Sequence, residues 1–351
     1  MPDSSNIKLT VAIPTYNRAG YLRQALDSVI NQLDGIGEKI EIIISDHGCV
    51  DETPHVMEEY KKKYPDLITC YKNVEKIDSY RKFDAFIIKA KGDYVWLLAD
   101  DDMLEKGAIK KVLDVIRNHG DVAWIFVNYT RYDADMKKKC GMVIKIPEDR
   151  YCSSGEEFFR VTRFTNTTFS ANIVRKRGWE KDNFGKYLDI SALHAQTVLP
   201  IYTLKNQPAY VVSSPLVRFR NPAEGKPGWM KSPDQYLTLG IKMLYAFIDA
   251  LKKNGYSKGL VRILIKGFRK GIIQQMISLK MNDVSFSREA LSLVHGFYRV
   301  SVPLFLVLVT FLHIPAAFFT AARRIHKNKA MKKVMKVPVK LLWEDKFPTA
   351  E

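Results

Sequence analysis

Cysteine is scarce in this chain: four among 351 residues. Cys49, Cys70, Cys140 and Cys152 form no C-x-x-C pair and have no zinc-like spacing to a histidine. That argues against disulfides and cysteine metal sites, and for free thiols in a reducing compartment. The opening residues, Met1 to Lys8, contain no apolar signal-peptide core, so export is not expected. No internal repeat or low-complexity tract is evident.

Acidic residues are missing where basic ones gather. Gly255 to Met281 contains no Asp or Glu, and Ser301 to Ala322 contains no charged residue at all. The last 100 residues hold 19 Lys and Arg against 5 Asp and Glu, so 14 of the 17 excess positive charges lie there. A basic tail on a balanced domain points to an anionic surface, either nucleic acid or acidic lipid headgroups. Lys258, Arg262, Lys266, Arg269 and Lys270 recur every three or four residues and share one helical face, with Leu260, Ile263, Leu264, Phe268, Ile272 and Met276 around them. Such a helix suits a membrane surface; the alternative is a core-packing helix with a solvated stripe. The run 301–322 has about the 20 residues a bilayer span needs. Pro303, His313 and Pro315 fit a re-entrant or interfacial hairpin as well. Arg323, Arg324, Lys327, Lys329, Lys332 and Lys333 follow directly, as expected for a cytoplasmic contact with anionic headgroups. The basic region lacks a nucleic-acid-reading motif, so no nucleic-acid partner is expected.

What is present is an alternation of strand and helix signals. Leu9–Ile13, Ile40–Ile44, Leu67–Lys72 and Tyr94–Ala99 read as strands. Ala19–Gln32, Pro54–Lys63 and Ile77–Ala90 read as helices, with Thr53 as the N-cap of the second. This order implies a mainly parallel sheet flanked by helices, with ligands at the carboxyl ends of its strands. Three polar clusters fall at those ends: Pro14-Thr15-Tyr16-Asn17-Arg18, Ser45-Asp46-His47-Gly48, and Asp100-Asp101-Asp102. Three adjacent carboxylates repel one another and need a cation; a divalent metal on oxygen ligands is the simplest candidate. The expected organisation is a catalytic domain over 1–234, with halves 1–110 and 111–234, followed by a helical, basic, membrane-associated region over 235–351. The segment 218–229, with Arg218, Arg220, two prolines and two glycines, reads as a loop able to close over a ligand. Arg218 and Arg220 would clamp a diphosphate there, or belong to an ordinary solvated loop. Trp229 would stack on a sugar or pack in a core.

The three clusters, with Leu9–Ile13, Ile42–Thr53 and Lys91–Ala99 around them, resemble a family 2 glycosyltransferase of the GT-A fold over the first ~110 residues. The chain differs from the usual pattern at His47 and Cys49, both beside the nucleotide. The resemblance implies an inverting, metal-dependent transfer from a nucleotide-diphosphate sugar, with a UDP-sugar favoured and Mn²⁺ or Mg²⁺ as cofactor. The acceptor would be a saccharide on polyprenyl diphosphate, at the cytoplasmic face of the inner membrane, in surface glycan assembly. It implies that Pro14, Thr15 and Tyr16 line base and ribose, with Arg18 close by. Asp46 would receive the base imide, Asp84 would join the donor-binding set, Asp100 would hold the ribose, and Asp102 would ligate the metal. Asp101 would face the sugar or the metal as a catalytic group. An Asx turn is the alternative role for Asp46. The Glu-Asp pair common in the family has no clear copy here. Asp189 or His194 is the candidate base; five residues apart, they point roughly 140° apart on a helix. His194 would otherwise ligate the metal or pack against Trp179 or Tyr187. The missing pair leaves an inactive nucleotide-sugar-binding protein on the same scaffold as the alternative.

Overall fold

The computed structural model describes residues 7–72, 79–163, 165–177, 179, 195–221, 233–281 and a few isolated positions beyond. Asp189, His194, Trp229 and the apolar run 301–322 lie outside the described residues. The described residues fall into two compact units. One runs through Asn221 and includes Lys253–Ser257; the other holds the rest of 222–252 and 258 onward.

The first unit opens with β1 (Ile7–Thr15), α1 (Ala19–Ile30), β2 (Lys39–Asp46), α2 (Thr53–Lys63), β3 (Ile68–Lys72), α3 (Ser79–Lys89) and β4 (Tyr94–Leu97). It continues with β5 (Met103–Leu104), α4 (Ala108–Asn118), β6 (Trp124–Tyr132), β7 (Lys139–Met142), β8 (Arg150–Cys152) and α5 (Gly155–Thr162). Two 3₁₀ turns, Thr165–Thr167 and Phe169–Ala171, lead to β9 (Asn172–Arg175), α6 (Ala195–Thr203) and β10 (Ala209–Arg220). Among the described residues the strands form one sheet in the order β3-β2-β1-β4-β9-β6-β10-β5, with β7 on β6 and β8 on β10. β3, β2, β1 and β4 are mutually parallel, and β9 enters antiparallel between β4 and β6. The sheet is therefore mixed and mainly parallel, as expected.

The physical causes are local. Val11, Ala12 and Ile13 of β1, Ile42 to Ile44 of β2 and Val95 to Leu97 of β4 are fully buried, so these strands read as continuous apolar runs. β1 runs on through Pro14 to Thr15, past its expected end at Ile13. Its ladder with β4 ends at Ala12, while pairing with β2 continues to Thr15 opposite Asp46. α1 buries Leu22, Ala25, Leu26 and Val29, spaced as one helical face. α6 runs through Pro200, which cannot donate to the carbonyl of Gln196; Asn166 Nδ2 donates to that carbonyl instead, at 3.0 Å. The four cysteines are free thiols.

The second unit contains α7 (Pro233–Lys253) and α8 (Lys258–Met281). Phe247 and Phe268 meet edge-on at 6.1 Å. Leu260, Leu264, Phe268, Ile272 and Met276 of α8 are buried, while Arg262 and Lys266 are exposed. Lys258, Arg262 and Lys266 of the basic stripe are thus solvated while Arg269 is half-buried, and of the apolar set Ile263 is exposed. Among the described residues no helix is long and apolar enough to cross a membrane.

Candidate active site

The loops after β1, β2 and β4 converge on one edge of the sheet. The first two are stitched together by backbone donors. Asn17 sits in the left-handed region at φ 52°, which asparagine tolerates, and its Oδ1 accepts the Val50 N–H at 2.8 Å. Its own N–H donates to Cys49 Sγ at 3.2 Å, and the Arg18 N–H to Thr53 Oγ1 at 3.0 Å. Thr53, the expected N-cap, is the first residue of α2, its hydroxyl committed to Arg18 and its N–H to Asp51 Oδ1. Burial, then the neighbouring Asp46, pushes the Cys49 thiol up to about 11, so it serves as a packed neutral group.

Asp46 forms the Asx turn that was its alternative role: Oδ1 accepts from Gly48 N–H at 2.9 Å and Cys49 N–H at 2.8 Å. Gly48 lies at φ +86°, where a side chain would be strained. The turn fixes Asp46, 2% exposed, at the end of β2 beside Thr15. Tyr16 stands at the surface, 47% exposed. Asp84 accepts from Trp179 Nε1 at 2.9 Å, a contact that joins α3 to the segment after β9.

The acidic triplet has its cation, and that cation is an arginine. Arg18 Nη1 donates to Asp100 Oδ1 at 2.9 Å and to Asp101 Oδ2 at 2.6 Å. The three carboxylates differ sharply in setting. Asp100 is 5% exposed; burial pushes its carboxyl up to about 6, against the pull of Arg18. Asp102 is 1% exposed and held well above the usual carboxylate range, by burial first and the charge of Asp101 second. Its Oδ2 accepts from the Ser170 hydroxyl at 2.6 Å and its Oδ1 from the Arg220 N–H at 3.0 Å. Asp101 has the most open side chain, 30% exposed.

Of the two arginines of β10, Arg220 holds this corner from behind. Arg220 Nε donates to the Asp101 carbonyl at 2.8 Å, and its terminal nitrogens reach Ala134 O and Gln24 Oε1, each at 2.7 Å. Arg218 pairs with Glu105 at 2.9 Å. Both guanidinium groups are engaged by the protein itself, as parts of a strand rather than of a loop. Ser170 and Gln24 carried no signal in the sequence. Ser170 also accepts the Ala99 N–H at 2.9 Å, and its carbonyl accepts from Trp96 Nε1 at 2.9 Å.

The family "Glycosyl transferase family 2" matches residues 10–174. The chain carries a family 2 glycosyltransferase domain. The match runs from β1 into β9 and so includes all three loops and Ser170, but not Arg218 or Arg220. Abequosyltransferase RfbV of Salmonella typhimurium is 25% identical over 227 residues, 60% of this chain and 65% of the relative. Minor teichoic acid biosynthesis protein GgaA of Bacillus subtilis is 32% identical over 124 residues, 34% of this chain and 28% of the relative. The chain thus spans less than two thirds of each. Among solved structures, S. aureus TarS residues 1–349 in complex with UDP-GlcNAc superposes with a TM-score of 0.58 at 15% identity, over 84% of this chain and 81% of TarS. That likeness establishes the GT-A fold.

The domain's corner fits a hard divalent cation. Its donors are all carboxylate oxygens, and the Asp101 side chain is the most open of the three. Among the described residues no group of three or more His, Cys, Asp or Glu is placed to hold a metal unaided. Mg²⁺-type sites use one or two carboxylates and complete the shell with phosphates and water, so Asp101, the open carboxylate, suffices in number and kind. Asp102, the expected ligand, has both oxygens hydrogen-bonded inside the protein.

Proposed function

We propose that this protein transfers a sugar from a nucleotide-diphosphate sugar, a UDP-sugar foremost, to a saccharide acceptor in bacterial surface-glycan or teichoic-acid assembly. One observation carries the reading: the loops after β1 and β4 meet through Arg18 on Asp100 and Asp101. The abequosyltransferase and the teichoic acid biosynthesis protein among its relatives, and the UDP-GlcNAc bound to TarS, support it.

In this reading Pro14, Thr15 and Tyr16 receive base and ribose beside the fixed Asp46. Asp100 takes the ribose hydroxyls. Asp101, with Asp102 behind it, would hold Mn²⁺ or Mg²⁺; the ion neutralises charge on the departing diphosphate when bound. Ser170 and Arg220 keep the carboxylates aimed, which limits reorganisation during reaction. Arg18 is the cation beside the position of the diphosphate, and its planar fork pairs with phosphate as it does with carboxylate. The acceptor hydroxyl must lose its proton to a base; Asp189 and His194 are the candidates, and the transfer is inverting. A polyprenyl-diphosphate acceptor places the enzyme at the cytoplasmic face of the inner membrane, where the solvated basic stripe of α8 supports contact with anionic lipid.

The test is a panel of nucleotide sugars with Mn²⁺, reading release of each nucleoside diphosphate. One donor is expected to release its diphosphate, and Asp101→Ala to abolish that release. No release from any donor, or full release by Asp101→Ala, would remove the reading.

A further inference from the structure

At the opposite end of the sheet, where β1, β4 and α4 meet the chain leaving β9, lies a cavity of about 530 Å³. Its wall carries five cations: Lys8, Arg117, Arg175, Lys176 and Arg177. Two are neutralised. Lys8 pairs with Asp93 at 3.0 Å, and Arg117 with Glu38 and Asp114. Among the described residues the consecutive trio Arg175-Lys176-Arg177 has no carboxylate partner. Arg175 donates to the Asp121 carbonyl and the Gln207 amide oxygen, and Lys176 to the Ala90 carbonyl, all neutral acceptors. Arg175 Nε is buried and lacks an acceptor among the described residues. The carboxyl end of α4 borders the same cavity and contributes about half a negative charge. That is too little to offset three full cations. The floor is apolar, formed by Leu113 and Ile116.

We infer that this cavity is a second anion site, which takes the phosphate of a phosphorylated sugar or polyol. A phosphate accepts from guanidinium forks and an ammonium together. The carbon skeleton would lie on Leu113 and Ile116, and the volume is within the usual range for a bound small molecule. From Tyr94 at the start of β4 to Asp100 just past its end is six residue steps, which at ~3.3 Å per extended residue puts the site roughly 20 Å from the acidic triplet. It is therefore separate from the donor site, and does not depend on the proposed transfer.

Hydrogen exchange on the full chain in EDTA tests this. Glycerol 3-phosphate is expected to slow exchange over 113–121 and 173–177 while leaving 98–104 unchanged. If its source is a polymer, a poly(glycerol phosphate) oligomer protects the same segments at lower concentration; if a free metabolite, the monomer protects as well. Glycerol, and sodium chloride at matched ionic strength, should give no protection. Arg177→Gln, at an exposed position, should weaken binding about tenfold with its thermal midpoint unchanged, and Lys176→Gln with Arg177→Gln should weaken it more. Protection confined to 98–104, equal protection by matched salt, or full binding by the double variant would overturn the assignment.

Discussion

Arg18 Nη1 stands 2.6 Å from Asp101 Oδ2. The same nitrogen is 2.9 Å from Asp100 Oδ1, so one guanidinium serves as counter-ion to two carboxylates on a different loop. A metal and Arg18 would therefore compete for the same oxygens. Arg18→Gln is expected to bind Mn²⁺ several-fold more tightly, by electron paramagnetic titration, while its thermal midpoint without metal falls. Arg18→Lys should lie between the two. Unchanged or weaker Mn²⁺ affinity in Arg18→Gln would contradict the competition.

Ser170 is expected to be the costliest small deletion near the site. Its hydroxyl donates to Asp102 and accepts from the Ala99 N–H, and the residue is fully buried. Ser170→Ala leaves a backbone donor and a carboxyl oxygen without that partner. The expected loss is about 1–3 kcal/mol in a denaturant titration. Turnover should drop as well, because Asp102 loses half of its support. A variant as stable and as active as the parent would show the contact to be dispensable.

Gly92 is set by proximity rather than by backbone conformation. A Cβ there would lie 2.7 Å from Thr10 N and 2.9 Å from Leu9 C, both backbone atoms of β1. Neither can move without shifting the strand that carries Pro14 to Arg18. Gly92 N–H also donates to Thr10 Oγ1 at 3.0 Å, and that hydroxyl donates to buried Glu41. Gly92→Ala should therefore cost about 1–3 kcal/mol or more, as overpacking does. It should also weaken nucleotide binding, since the displaced strand leads into the first loop. Calorimetric unfolding and nucleotide titration measure the two effects.

The strands and the acidic triplet were legible because burial on both faces leaves unmistakable apolar runs, as in Ile42 to Ile44 and Val95 to Leu97. β9 was not. It has four residues, Asn172–Arg175, two of them polar, and takes its place from tertiary bonds such as Trp124 Nε1 to Asn172 Oδ1 at 3.0 Å. Periodicity cannot report a strand whose position is set by partners far along the chain. The same holds for the site. The carboxylates announced that a cation was needed, but not that Arg18 supplies it. That depends on β1 and β4 being adjacent in space. Arg218 and Arg220 looked like loop residues because Pro222, Gly225, Pro227 and Gly228 follow. Their pairing with Thr130 and Tyr132 across β10 and β6 is a matter of register, which local composition does not encode.

Asp149 gives the fold a pH dependence that can be signed. It pairs with Lys111 at 2.7 Å, and its Oδ1 accepts from both the N–H and the hydroxyl of Ser213 at 2.8 Å. Burial alone would raise its carboxyl, but Lys111 and Ser213 outweigh burial and hold it below the ordinary 3.8. A carboxylate with a depressed value stabilises the fold above the unfolded value, and that contribution disappears as pH falls through the folded one. Asp149→Asn is therefore expected to cost about 1 kcal/mol at neutral pH. The gap between parent and variant should stay constant down to about pH 4 and close below it. Urea midpoints for both proteins across that range provide the measurement. A gap that persists unchanged to the lowest pH would show that the charge on Asp149 contributes nothing to the fold.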